Sequence, residues 1–351
     1  GHFPGSGTRS GSARRPNQIE EAMTSAIKTI ETTDSSSSPM RPISLPDDLG
    51  AVADLVEMCF AATLDDDGRR FIRQMRKAAA SRKGLNAFSS LPGSITGFVW
   101  IEQGEIVGNL NLIPVLVRRH RAYLMANVAV HPDFRRRGIA HSLTEASIEL
   151  AVSKRVRNIW LQVDEDNLTA QHLYQGFGFG ERARRTVWHS QGSTPAIKVP
   201  PSVRIKSAQR TDWQQQKAWL KMLYNHNVRW NLPINFKLYA PGISGGLLRL
   251  LNERKVKQWS AYHHTKWIGS LTWQSSYSQA DWFWLSTPPE KRELAIIALI
   301  PHARKVLQEN KLLRPQRKVA VNFPAGEATG AFEAVGLIPH NTLIWMERNL
   351  S

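Results

Sequence analysis

The chain has 351 residues, enough for two domains of ordinary size, and its 42% hydrophobic and 21% charged residues are the composition of a soluble globular protein. No apolar run approaches the roughly 20 residues that cross a bilayer, so no membrane contact is expected. The single cysteine, Cys59, excludes an intramolecular disulfide and a multi-thiol metal site. The formal charge of +17 asks for an anionic partner: a small anionic ligand, nucleic acid or an acidic protein surface.

Residues 1–39 are rich in Gly, Ser, Thr and Arg and end in Ser35-Ser36-Ser37-Ser38-Pro39. A disordered tail is predicted there, with 19–30 as its one candidate helix. The opening residues have no hydrophobic region of a secretory signal, Met23 and Met40 are candidate natural starts, and a cytoplasmic location is expected. From Met40 the character changes. A short strand over 40–44 precedes Pro46-Asp47-Asp48, which opens an apolar-periodic helix through residue 60; Cys59 is expected there as a packed thiol. Strands over 98–102 and 106–117 flank the Gln103-Gly104-Glu105 turn, and a further strand covers 123–130. Ile139, Leu143, Ala146 and Leu150 recur at helical spacing, and Ile159, Leu161 and Val163 alternate as a buried strand. Ala170, Leu173, Tyr174 and Phe177 share one face of a helix that Gly178 stops, and a strand over 186–189 closes the segment. This order predicts an α/β layered sheet.

Residues 191–201 read as a linker, with Gly192, Pro195, Pro200 and Pro201. Beyond it the same order recurs: a strand over 203–205, a helix over 208–224, and strands over 258–262, 267–273 and 282–286. A helix over 294–310, a strand over 319–321, a helix over 328–335 and a closing strand over 342–347 complete the second pass. The expected organisation is a tail (1–39), a first domain (40–190), a linker (191–201) and a diverged second copy (202–351).

Two clues lie at a fixed distance in the first copy. The strand ending in Val130-His131-Pro132 is followed by Arg135-Arg136-Arg137-Gly138-Ile139-Ala140 at the mouth of a helix. Main-chain N–H groups in a first helical turn have no partners inside the helix, and with the helix dipole they make an anion site. A pyrophosphate must come close to use them, which suits Gly138 and the small Ala140; the three arginines add charge. Alone, the pattern also fits an exposed basic turn capping an ordinary helix. The second clue is Asn167, Ala170, Leu173-Tyr174 and Gly178-Phe179 on the next helix.

Together these motifs resemble the GNAT superfamily of N-acetyltransferases, whose signature Q/R-x-x-G-x-G/A stands where Arg135–Ala140 do; the resemblance covers about 40–189 and is sharpest over 127–179. It implies two tandem GNAT-like domains, each a mixed, mostly antiparallel sheet flanked by helices. It further implies that Arg135, Arg136, Arg137, Gly138, Ile139 and Ala140 hold the pyrophosphate of acetyl-coenzyme A, without metal, and that the main chain of Val128, Ala129 and Val130 lines the pantetheine arm. A bulge splaying this strand from its neighbour is expected within 127–130, freeing an N–H near Val130 for the developing oxyanion. Asn167 would hydrogen-bond the pantetheine arm, or serve as an N-cap, or do both.

The transfer to an amine also needs a proton for the departing thiolate. Tyr174 is the candidate general acid, since a phenol of pKa about 10 stays protonated at neutral pH; packing alone would also explain a tyrosine beside Leu173 and Phe177. No general base is assigned. Some relatives place a glutamate five residues before the asparagine, and this chain has Gln162. Asp164, Glu165, His131 and Glu102 remain candidates acting through water, as does a substrate amine that needs no base.

In the second copy, matching Pro289 to Pro132 puts Arg292 at Arg135, Ala295 at Gly138 and Ile297 at Ala140, with Glu290 and Glu293 adding negative charge. Phe332 falls at Tyr174, and Asn322 resembles Asn167 only with three extra residues between. A second working site is not expected. The five tryptophans Trp259, Trp267, Trp273, Trp282 and Trp284 read as core or inter-domain packing, with a share available to shape an acceptor pocket. The expected activity is direct transfer of an acetyl group from acetyl-coenzyme A to the primary amine of a small molecule or protein. Coenzyme A accounts for few of the positive charges, so a non-catalytic acyl-coenzyme A sensor or a basic module docking on RNA or ribosomes is the alternative.

Overall fold

The computed structural model describes residues 38–62, 64–80, 95–192, 194–242, 248, 255–278, 280–313 and 317–350. The predicted tail and its candidate helix over 19–30 lie outside the described residues, apart from Ser38 and Pro39.

The first half runs β1 (Met40–Pro42), α1 (Leu49–Phe60), α2 (Asp66–Ala80), β2 (Thr96–Glu102), β3 (Glu105–Val117), β4 (His120–Val130), α3 (Ile139–Ser153), β5 (Asn158–Asp164), α4 (Leu168–Gly176) and β6 (Gly180–Ser190). After the linker come β7 (Val203–Ser207), α5 (Trp213–Leu223), two single turns, α6 (His226–Arg229) and α7 (Phe236–Tyr239), and then β8 (Val256–His263) and β9 (Lys266–Gln274). The chain continues through β10 (Ala280–Ser286), α8 (Arg292–Glu309), β11 (Lys318–Pro324), α9 (Thr329–Ala334) and β12 (Leu337–Asn349). The predicted first helix starts where Asp48 is held by both Arg41 guanidinium nitrogens, at 2.7 and 2.8 Å, and by the Ser44 amide at 2.7 Å. The helix α2 is an addition to the predicted elements, as are α6 and α7.

All twelve strands form one sheet in the order β1-β2-β3-β4-β5-β12-β6-β11-β10-β9-β8-β7. Two pairs are parallel, β4 with β5 and β10 with β11, and the others are antiparallel. Strand β3 is buried at every position from 107 to 112 and β9 from 268 to 274, the pattern of strands covered by helices on both faces. In the first half α1 and α2 cover one face around Val99 and Ala129, and α3 and α4 cover the other around Leu110, Leu161 and Val163.

The last strand of each half sits in the other half's part of the sheet. β12 lies between β5 and β6, pairing with β5 over seven residues, Leu343 opposite Asp164 through Asn349 opposite Asn158. β6 lies between β12 and β11. The cores follow the exchange: Ile344 and Met346 of β12 are buried in the first half's cluster, and Trp188 of β6 is buried in the second half's. Arg185 of β6, also buried, fastens the crossing. Its guanidinium donates to the Asn322 side chain (2.7 Å), the Asn322 carbonyl (3.1 Å) and the Leu223 carbonyl (2.8 Å), and it stacks over Tyr224. With no carboxylate among these contacts, burial pushes its pKa down to about 10.

Candidate active site

The site begins where β4 leaves β5. The two strands pair only over Ala122–Leu124 opposite Asn158–Trp160. Beyond that point β4 continues to Val130 and β5 to Asp164 unpaired with each other, so a gap opens toward their C-terminal ends. Along its other edge β4 stays on β3, but the register slips: Ala126 faces Asn111 and Ala129 faces Asn109, so Asn127 and Val128 share one partner position. This is a β-bulge, and Asn127 takes the left-handed conformation with φ 53°. It stands within the 127–130 interval expected for it. The His131 amide donates to Val107 on β3, so by strand alternation the main chain of Val130 faces the gap. There its carbonyl accepts from the Cys59 thiol at 3.3 Å and from Arg135 Nε at 3.1 Å.

Three asparagines hold the bulge. Asn109 Nδ2 donates to the Asn127 carbonyl (2.8 Å) and to Asn111 Oδ1 (2.9 Å), and Asn127 Nδ2 donates to the same Asn111 oxygen (3.2 Å). Asn109 is 0% exposed and Asn111 4%, so these amides would be costly to bury without one another. Sequence reasoning passed over Asn109 and Asn111. Their signal was there: polar residues two apart in the otherwise apolar Asn109-Leu110-Asn111-Leu112 run, on a strand buried on both faces.

The loop after β4 carries Arg135 to Ala140, the residues expected to form a cradle. Residues Pro132–Phe134 make a single 3-10 turn, and α3 starts at Ile139 with Gly138 as its N-cap. Arg136 (φ 65°) and Gly138 (φ 79°) are both left-handed, which bends the intervening amides into a concavity of the kind that binds anions. A Cβ on Gly138 would meet no protein atom within 4 Å. Glycine is therefore favoured there by the left-handed backbone, and not by packing. Arg135, Arg136 and Arg137 are exposed; Arg137 stacks over Phe134 and donates to the Asp133 carbonyl. These residues fit a pyrophosphate: free first-turn N–H groups, three cations and room for the ligand.

Tyr174 lies on α4, the helix that follows β5 on the other side of the gap. It lies in the last turn of α4, which ends in a Schellman motif: Phe179 N–H donates to the Tyr174 carbonyl (3.0 Å) and Gly178 N–H to that of Gln175 (2.9 Å). The hydrophobic contact that accompanies such a cap is here Tyr174 against Phe179, with ring centroids 5.9 Å apart. The Leu173-Tyr174…Gly178-Phe179 spacing is thus a device that fixes the tyrosine's backbone and ring. Tyr174 is 6% exposed, and burial pushes its phenol up to about 12, so it keeps its proton across the neutral range. Its ring shares one apolar cluster with Ile139, Val128 and Val130. Asn167 caps α4, its Oδ1 accepting from the Ala170 amide at 3.1 Å. The N-cap role expected for it is thereby present.

Residues 61–179 match the acetyltransferase (GNAT) family. Over these residues the N-terminal half is similar to that family, and the match covers about a third of the chain. Over 73 residues the chain is 38% identical to the [ribosomal protein bS18]-alanine N-acetyltransferase of Salmonella typhimurium, which is 20% of this chain and 49% of that protein. It is 37% identical over 93 residues to GCN5-related N-acetyltransferase 4, chloroplastic, of Arabidopsis thaliana, 26% of this chain and 30% of that one. The chain thus spans about half the length, or less, of the curated relatives it matches. The crystal structure of a GCN5-related N-acetyltransferase from Sphaerobacter thermophilus aligns with a TM-score of 0.55 at 15% identity, over 89% of this chain and 96% of that one. That likeness concerns the fold, and it spans both halves.

Of the candidate bases in the first half, Asp164 accepts from the Asp166 amide (2.9 Å) and Glu165 pairs with Arg184 (3.6 Å). Glu102 accepts from Trp100 Nε1 (3.0 Å), and His131 Nδ1 from the Asp133 amide (3.3 Å). Each has a local partner, and none is singled out. Among the described residues no group of three His, Cys, Asp or Glu side chains is arranged to hold a metal, and no helix is long and apolar enough to cross a membrane.

The second half repeats the order of strands and helices with different geometry at the corresponding positions. Strand β10 pairs with β9 in unbroken register from Trp282 opposite Gln274 to Ser286 opposite Ser270. It has no bulge, and Ser270 and Thr272 stand where Asn109 and Asn111 do. Helix α8 starts at Arg292, directly after the 3-10 turn Pro289–Lys291, so helix replaces the loop that forms the cradle. A pocket of about 390 Å³ remains there, lined by 289–294, Glu327 and Ala328. Arg292 is bound in it by the Glu327 carboxylate and stacks over Phe323; an internal carboxylate answers the cation. Phe332, at the position of Tyr174, is fully buried, and Asn322 lies inside β11 and is no counterpart of the capping Asn167. The tryptophans Trp259, Trp273 and Trp284 are core residues. Trp230 bridges the halves, its ring tilted against Trp160 of β5 and edge-on to Trp345 of β12.

Proposed function

We propose that the N-terminal half transfers an acetyl group from acetyl-coenzyme A directly to a primary amine, in the cytoplasm, and that the second half carries no second site. The observation that carries this reading is the gap between β4 and β5: the bulged strand with Val130 stands on one side and a buried, protonated Tyr174 on the other. Bound acetyl-coenzyme A would supply an activated thioester. Arg135, Arg136, Arg137, Gly138, Ile139 and Ala140 would hold its pyrophosphate at the start of α3. The main chain of Val128, Ala129 and Val130 would align its pantetheine arm, with Asn167 facing it from the cap of α4. The Val130 N–H donates toward the acyl oxygen as negative charge develops. The Tyr174 phenol holds the proton that the departing sulfur takes up. Fixing both reactants in line supplies much of the rest.

The likeness to the bS18-alanine N-acetyltransferase favours a protein N-terminal amine as the first acceptor to test. Acetyl-coenzyme A-dependent thiol release is measured over panels of peptides and small amines, for wild type and Tyr174→Phe. The variant should bind acetyl-coenzyme A as wild type does and turn over about 100-fold more slowly or worse. Equal turnover would remove Tyr174 from the mechanism. Cofactor binding by wild type without thiol release from any amine would favour an acyl-coenzyme A sensor.

A further inference from the structure

We propose that the end of the sheet remote from the cradle is an RNA-docking face, built from Arg118, Arg119, Arg121, Lys154, Arg155 and Arg157. These residues come from two neighbouring turns, the β3–β4 hairpin and the connection from α3 to β5. The turns are tied together by the Arg157 amide on the Arg121 carbonyl (3.1 Å) and by Arg157 Nη1 against His120 Nε2 (2.9 Å). All six are exposed. Among the described residues none of them is ion-paired with a carboxylate. Arg118 instead donates to the Asn227 side chain at 2.7 Å. The local field shows in a neighbour: burial, then Arg118 and Arg229, push the His226 imidazole below its ordinary value.

The backbone shows that these cations are more than a solvated surface. Arg118 (φ 52°) and Arg119 (φ 68°) are the whole two-residue loop between Val117 and His120. A hairpin loop with both residues left-handed is the place where Asn-Gly is strongly preferred. Arg155 (φ 53°) follows the C-cap of α3 in a Schellman motif, its own N–H on the Val152 carbonyl and that of Val156 on Ala151, where glycine is the usual residue. Three left-handed positions that glycine or asparagine would relax thus carry arginine instead. The cradle has the same device at Arg136.

Coenzyme A does not account for this face. The 11 residues of β4, at about 3.3 Å each, separate the hairpin from Val130 by roughly 30 Å. Five of the six cations are arginines, whose planar fork suits phosphate oxygens. The hairpin tip presents Arg118, Arg119 and His120, and Leu116 and Val152 are single exposed apolar side chains beside these turns, against six cations. A phosphodiester backbone fits this chemistry.

The test is fluorescence anisotropy of a short labelled single-stranded RNA, titrated with the full chain at several salt concentrations. If each of the six cations neutralises one phosphate, log K against log salt should fall with a slope of about −4. The variant Arg118→Asn/Arg119→Gly/Arg155→Gly installs the residues these turns prefer, so its melting temperature should hold or rise. Its RNA affinity should drop at least tenfold, and its salt slope should shrink to about −2. Saturating coenzyme A should leave RNA bound, and amine acetylation should be unchanged. Wild-type affinity in the variant, displacement by coenzyme A, no binding at low salt, or binding to phosphatidylserine vesicles in place of RNA would each overturn the proposal.

Discussion

The asparagine clamp on β4 can be taken apart with a substitution that the chain itself supplies. The second half aligns Ser270 with Asn109 and Thr272 with Asn111, and its strand β10 runs without a bulge. In Asn109→Ser/Asn111→Thr the Asn127 carbonyl loses its 2.8 Å donor, and the bonds at 2.9 and 3.2 Å vanish with it. At about 0.5–1.5 kcal/mol net for each hydrogen bond, the three account for about 1.5–4.5 kcal/mol of stability. Without the clamp, the left-handed Asn127 has little to hold it, and the strand can regain regular register. A slip of one residue turns side chains to the opposite face and turns the Val130 amide away from the gap.

Three quantities separate the outcomes. Loss of a main-chain oxyanion donor should lower kcat by about 100- to 1000-fold. The Kd for coenzyme A should stay within a few-fold of wild type, because the cradle is untouched. The melting temperature should fall by several degrees. A variant with the lower melting temperature and unchanged kcat would show that the asparagines are only core residues. Parallel loss of kcat and cofactor affinity would show that the damage spreads to the cradle, and the positioning role would fail.

Other outcomes follow from the same geometry. Gly138→Asn keeps a left-handed backbone accessible, and its Cβ would meet no protein atom within 4 Å. It should therefore leave the melting temperature nearly unchanged while weakening coenzyme A at least tenfold by calorimetry; unchanged affinity would move the pyrophosphate elsewhere. Acid should weaken the fold in two steps. His189, stacked on His340 with ring centroids 4.3 Å apart, is pushed from 6.5 down to about 4 by burial, then by His340 and Lys318, with Asp65 opposing. Asp65 is held down at about 2, chiefly by its hydrogen bond with His340. Both folded values are depressed, so their stability is present above the unfolded values and is lost as pH falls, from 6.5 to about 4 for His189 and from 3.8 to about 2 for Asp65. Each is on the order of 1 kcal/mol after solvent screening, and His189→Gln should flatten the first limb of a melting-temperature profile. A chain ended after Pro201 leaves β5 without its seven-residue partner and the core without Ile344 and Met346; it should be insoluble or fail to melt cooperatively.

The frame was legible in the sequence because its signals are local. Alternation marked β5, helical spacing marked α3, and Gly178 marked the end of α4. The cradle and the tyrosine helix were legible for the same reason, since each is a short contiguous motif whose spacing is itself the structure, a nest before a helix and a Schellman cap after one. Helix α2 escaped because its buried stripe is narrow: Ile72, Met75 and Ala78 stand among five basic side chains. The asparagine clamp was illegible for a different reason. It joins β3 to β4 across a register slip, and single-residue periodicity does not report which strands pair.

The strand exchange was hidden most deeply, because nothing within 342–347 says that this strand leaves its own half. Yet it gives the second half a part in the site. The Glu165 amide donates to the Thr342 carbonyl of β12, Leu343 faces Asp164, and Asn167, which caps the helix bearing Tyr174, follows two residues after Glu165. The turn that leads from β5 into the helix bearing Tyr174 is therefore anchored on a strand from the other half. The second half, with Ala295, Phe332 and an unbulged β10 at the corresponding positions, still cannot be dispensed with, because the first half takes from it the strand that pairs with β5 just before α4.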